Sequence, residues 1–185
     1  MSSVLESSLE EPFRVLLQGP LALAVQGAAR STERQVAIIA RGELSAGQWS
    51  QPDLLMACIY RYRSRSVPEL ALYSFELKVA RGFDVRSVHH GLAHSRYAHY
   101  SHLAIYCPSD EIWTSAFAEV GPHAQRHGVG VIRLGGTPLN LSYEILLRSS
   151  RFDPEPALVD QFLDHRIPQL LEWIEGRLQV RSVAR

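Results

Sequence analysis

Two apolar runs separated by a short turn-prone stretch constrain this chain more than any other feature. DLLMACIYRYR (53–63) and ELALYSFELKVAR (69–81) are strand-like, with SRSVP between them, so the pair reads as an antiparallel hairpin. The second run is not a simple buried strand. Residues two apart share a face, so Glu76 and Lys78 stand on one face while Phe75, Leu77 and Val79 stand on the other. A carboxylate and an ammonium beside a core cost desolvation energy unless they pair or bind something. With the turn centred near residue 66, Asp53 falls across from about residue 79, and the three charged groups converge at the open end of the hairpin.

Composition sharpens this point. Of the 19 Lys and Arg residues, Lys78 is the only lysine. A coding bias toward arginine accounts for the others; a functional reading is that this position needs a compact ammonium whose pKa can shift. Two carboxylates beside one lysine suit Mg²⁺ (or Mn²⁺), which takes oxygen ligands and is commonly held by one or two carboxylates. Such a metal lowers the pKa of bound water and neutralises charge on a phosphoryl group, and the lysine can orient or deprotonate that water. The bland alternative is a salt-bridged polar end of a hairpin.

Pro52-Asp53 followed by Glu76-Leu77-Lys78 resembles the PD-(D/E)xK phosphodiesterases, the restriction-endonuclease-like nucleases. The likeness extends through LYSFELKVARG, an Ala/His-rich segment, HLAIYCP and a helix ending in QRHGVGVIRL, over roughly residues 12–135, and is strongest toward small bacterial members with a YSFE-x-K strand. It implies an α/β fold with a restriction-endonuclease-like core, a central mixed β-sheet flanked by helices, here followed by a C-terminal helical extension. It implies a metal-dependent nuclease acting on DNA phosphodiester bonds, with RNA as an open alternative. Asp53 and Glu76 would be metal ligands, the Leu77 carbonyl a main-chain ligand, and Lys78 the motif lysine. The helix after the motif often presents a glutamine to the site; His89 and His90 fall there, and His90 is taken as the catalytic assistant. Some members also use an acid from the first helix, near which Glu10 and Glu11 lie.

Other features bear on partners. Arg61, Arg63 and Arg65 alternate in a way that could track phosphates, or could mark a solvated hairpin tip. Arg81, Arg86 and Arg96 lie nearer the expected site and are better candidates for nucleic-acid backbone contacts. His90 and His94, four apart, would suit zinc on one helix face, but no HExxH glutamate lies between them. GVGVIRLGG lacks a Walker lysine, and there is no GxSxG. The formal net charge of zero favours a second function class, a non-catalytic nuclease-like module that binds DNA or protein.

The chain divides into a flexible N-terminus (1–11), a nuclease-like domain (12–150) and the helical extension (151–185). Helix is expected from Pro12 to about Arg30 with a break at Gly19-Pro20, strand over 34–42, a loop over 43–52, helix over 84–101, strand over 102–107, and a helix from Ser109 to about Glu119 that continues irregularly past Gly121-Pro122. A last strand over 128–134 is ended by Gly135-Gly136-Thr137-Pro138. The extension carries Leu158, Phe162, Leu163, Ile167, Leu170, Leu171, Trp173 and Ile174, an apolar surface that must pack on the domain or, in a homodimer, on a second copy. No apolar stretch approaches bilayer length, the opening MSSVLESSLEEP is not a secretory signal, and Cys58 and Cys107 read as buried free thiols. A cytoplasmic protein without a membrane partner is expected.

Overall fold

The hairpin forms, and a sheet is built on both sides of it. The structure, a computed structural model, describes residues 4–27, 33–39 and 51–178. Strands β1 (Glu33–Ile38), β2 (Leu54–Tyr60), β3 (Glu69–Val79), β4 (Tyr100–Tyr106), β5 (Gly130–Thr137) and β6 (Asn140–Leu147) make one mixed sheet in that order. β1, β2 and β3 form an antiparallel meander, β3, β4 and β5 are parallel, and β6 returns antiparallel to β5. Parallel neighbours need a crossover. Helices α3 (Val85–Ala93) and α4 (Asp110–Arg126) supply the two crossovers.

Each sheet face has its own cover. Helices α1 (Glu10–Gln18) and α2 (Pro20–Gln26) lay Phe13, Leu17 and Leu21 on Leu54, Met56, Phe75 and Leu77. Phe13 meets Phe75 edge-on, with ring centroids 5.5 Å apart. On the opposite face α3 and α4 cover Leu103, Ile105 and Val131. The C-terminal pair α5 (Pro156–Arg166) and α6 (Pro168–Leu178) covers Leu55, Ala57 and Leu72. Tyr97 stacks on Phe162 at 3.9 Å there. The apolar surface that the sequence offered to the domain or to a second copy is thus spent on the domain.

Caps and glycines set the boundaries. The Asp84 side chain accepts from Ser87 N, and the Ser87 hydroxyl answers the Asp84 N–H, which starts α3. Gly91 lets that helix lie close to the sheet: an added Cβ would meet Val129 Cγ1 at 3.1 Å and Leu103 Cδ2 at 3.3 Å. Ser109 caps α4 through Ile112 N, as expected.

Several expectations are corrected. β6 has no counterpart among the expected elements; Gly136, with φ of 74°, allows a tight return after β5 instead of ending the sheet. The helix expected over 84–101 stops at Ala93, because Tyr97 N and Ala98 N both donate to the His94 carbonyl in a short 3-10 turn. α4 continues past Gly121-Pro122 as expected, but as regular helix to Arg126 and not irregularly. Residues 6–9 form a 3-10 turn with Leu9 fully buried, where a flexible segment was expected. Residues 1–3, 28–32, 40–50 and 179–185 lie outside the described residues, and with them the end of the helix expected to about Arg30, most of the expected loop over 43–52, the end of the strand expected over 34–42 and the end of the extension. Among the described residues no helix is long and apolar enough to cross a membrane.

The buried Leu9 gives a test of the N-terminal turn. Leu9→Ala should cost about 2–5 kcal/mol of unfolding free energy, measured by urea denaturation. A flexible segment would lose almost nothing.

Candidate active site

The site forms where β2 begins and β3 ends. Leu54 pairs with Phe75, and Asp53 donates its N–H to the Phe75 carbonyl at 3.0 Å. Asp53 Oδ2 then accepts the Leu77 N–H at 2.7 Å. Asp53 therefore lies beside residues 75–77, not across from residue 79. The register differs because the chain leaves β2 at Tyr60 and re-enters at Glu69, so the turn is longer than SRSVP and centred earlier. Alternate residues of a strand direct their N–H and C=O to the same neighbour. The Leu77 carbonyl thus faces the Asp53 side, past the end of β2.

Glu76 and Lys78 share the face away from α1, as their spacing predicted, while Phe75 and Leu77 enter the core beneath α1. Asp53 and Glu76 are both buried, at 7% and 6% exposure. Lys78 Nζ donates to Glu76 Oε1 at 2.8 Å and lies 3.6 Å from Glu6 Oε2. Glu6 Oε1 also accepts the Val79 N–H at 3.4 Å. Gly82 leaves room for this arrangement, since a Cβ there would meet Lys78 Cδ at 3.1 Å. His90 Nδ1 stands 3.9 Å from Glu76 Oε1, and His94 Nε2 stands 3.8 Å from Glu76 Oε2.

Burial and the neighbouring Asp53 charge push the Glu76 carboxyl up to about 7, against the pull of Lys78. For Lys78, burial works the other way, but the charge and hydrogen bond of Glu76, with Glu6, outweigh it and raise the ammonium's pKa. Burial lowers His90, helped by Lys78, and drives the fully enclosed His94 down to about 3.

Glu76 Oε2 is buried and has no hydrogen-bond partner. A hard divalent cation would supply what that oxygen lacks and relieve the repulsion between the two carboxylates. Asp53, Glu76 and the Leu77 carbonyl are the oxygen donors on this side, so the residues present fit Mg²⁺ or Mn²⁺. Among the described residues no group of three His, Cys, Asp or Glu side chains is placed to hold a metal ion, of zinc or of magnesium, so a cation here would rest on two carboxylates and a main-chain carbonyl.

The fold thus brings Asp53, Glu76, Lys78 and His90 together. Arg81 and Arg86 are exposed at the same end, just after β3 and in the first turns of α3. Arg96 lies beyond the opposite end of α3. Arg61 and Arg63 lie at the far tip of the hairpin, roughly 25 Å from Asp53 at a strand's rise per residue. Arg61 is tied to the Arg177 carbonyl at 2.7 Å, and Arg65 to Glu69 at 2.9 Å. These are not neighbours of the site. Two site residues were missed. The acid from the N-terminal region is Glu6, not Glu10 or Glu11, and Glu11 pairs with Arg14 on its own helix. His94 was read only as a zinc partner of His90, although its spacing placed it on the same face.

No family model matches the chain, and no curated protein is similar enough to count as a relative.

The raised Glu76 carboxyl gives a pH test. Its ordinary value is 4.5 and its folded value about 7. The folded state holds the proton more tightly, so the stability from this group is complete below pH 4.5 and is lost as the pH rises through 7. Relative to Glu76→Gln, the wild type should lose about 3 kcal/mol across that window, read from urea midpoints. A flat difference would mean that the carboxyl is ionised throughout.

Proposed function

We propose that this chain is a metal-dependent nuclease that hydrolyses phosphodiester bonds in DNA through the Asp53, Glu76 and Lys78 site. One observation carries the reading: two buried carboxylates and the sole lysine meet at the end of one hairpin, with Glu76 Oε2 unpartnered. The restriction-endonuclease-like architecture is part of the proposal. Its support is the element order: helix, three-strand meander, crossover helix and parallel strand, with one acid just before the second strand and the other on the third.

In this reading Asp53 and Glu76 hold Mg²⁺ or Mn²⁺ with the Leu77 carbonyl. The bound cation would supply an acidified water and neutralise charge on the scissile phosphate. Lys78 stands 2.8 Å from Glu76 Oε1, close enough to orient the attacking water or to stabilise the charge that builds on the phosphoryl oxygens. His90, half exposed beside Glu76, can exchange a proton with solvent near the leaving group. Arg81 and Arg86 are placed to meet the flanking phosphates, and the chain's zero net charge leaves DNA binding to such local contacts.

A second reading has its own observation. Lys78 is shared between Glu76 and Glu6, and Asp53 Oδ2 already caps the Leu77 N–H. A polar network closed in this way can serve as a structural joint in a non-catalytic module that binds DNA or protein.

Labelled single-stranded, duplex and branched DNA, and an RNA of matching sequence, should be incubated with the protein and Mn²⁺. Metal-dependent cleavage should fall by about 10²–10⁴-fold in Lys78→Ala and Glu76→Ala without loss of folding. Cleavage that survives both substitutions would sink the assignment. An inert wild type that still binds DNA would favour the second reading.

A further inference from the structure

A second concave surface lies at the other end of β3. Helices α5 and α6 and the start of that strand enclose a groove of about 420 Å³. Leu70, Leu163, Leu171, Ile174 and Leu178 form its floor. Leu163 and Ile174 are buried, while Leu70, Leu171 and Leu178 keep part of their surface open. Along α6 the groove runs from Leu171 to Leu178, two turns or roughly 10 Å. Leu70 stands roughly 26 Å from Lys78 along the strand, so an occupant would leave the candidate active site open.

The rim is acidic. Asp160 and Asp164 border the groove from α5 and Glu175 borders it from α6, all three exposed. Their placement works against the helices that carry them. Asp160 and Asp164 are like charges one turn apart, which weakens a helix. Asp164 and Glu175 lie in the last turns of their helices, where the dipole disfavours a carboxylate. Among the described residues no arginine or lysine pairs with any of the three. Asp164 has only His165, at 4.0 Å, and Arg177 turns away to Glu33 at 2.8 Å.

We propose that this groove docks a segment of another protein, one with two apolar residues three or four apart and arginine or lysine beside them. Apolar anchors at that spacing share one face of a helix and match a floor two turns long. The basic residues meet the three carboxylates of the rim, which complement them in charge. The same rim repels a nucleic-acid backbone or an anionic lipid surface. This docking is independent of whether the acids at the far end of β3 cut DNA.

Short random peptides displayed on phage and panned on the full chain test it. Peptides of the stated pattern should be enriched. A fluorescein-labelled member of that set then reports affinity by polarisation. Asp160→Asn combined with Asp164→Asn should weaken it about 10-fold, and raised salt should narrow the gap. Asp164→Arg combined with Glu175→Arg should instead prefer the same peptide with glutamate at its basic positions. No enrichment, enrichment of peptides without basic residues, or an affinity indifferent to these substitutions overturns the proposal. So does either rival occupant. A second copy would show as self-association of the wild type that the same substitutions abolish. The chain's own residues 179–185 would show as peptide binding that appears only when the chain is ended at Leu178.

Discussion

The Asp53 carboxylate takes the place of the backbone acceptor that the hairpin lacks at its end. β2 begins at Leu54, yet the Leu77 N–H still faces that side and needs a partner. Asp53 Oδ2 supplies it, and the cost is a buried carboxylate next to Glu76. Much of the local electrostatics follows. Glu76 is pressed toward protonation by its burial and its neighbour, and Lys78 is drawn in to offset both. Glu6 then secures the far side of Lys78, which brings the N-terminal turn and Leu9 down onto the sheet. An apolar side chain at Asp53 would leave the Leu77 N–H unmet and Lys78 with less charge to face.

The sheet topology explains why this polar cluster sits at an edge of the core and not within it. β3 is the strand where the antiparallel meander meets the parallel crossovers. β2 stops short on one side, while β4 stays paired with β3 through Val79 on the other. The last residues of β3 therefore have core beneath them and an opening beside them. α3 can run close above because Gly91 has no side chain to hold it off Val129 and Leu103. That close approach brings His90 and His94 to opposite oxygens of one carboxylate.

What could be read from the sequence was whatever depended on strand alternation. β3 announces its two faces, and the odd pair Glu76 and Lys78 stands out against an apolar strand. The register did not follow, because Arg61, Tyr62 and Arg63 look like strand but leave the ladder. Arg61 is drawn instead to the end of α6, a contact between residues 116 apart in sequence. β6 was hidden because Gly135 and Gly136 look like an ending, and NLSYEILL is only partly buried. Glu6 was hidden for a related reason: an acidic, serine-rich opening resembles a free tail until Leu9 finds the core. The arginines nearest in sequence to the hairpin tip were the easiest to notice, and they face away from the acids.

The stack of Tyr97 on Phe162 has a temporal side. A chain made from its N-terminus has both acids and the lysine once residue 78 is out. Phe162, on which Tyr97 stacks, arrives about eighty residues later, some 4–16 s at ordinary rates of synthesis. Until α5 and α6 follow, Leu55, Leu72 and Tyr97 lack their cover on that face of the sheet. The cover of this face is thus among the last parts to be made, and the newborn chain passes through a stage in which the sheet is sticky and half covered.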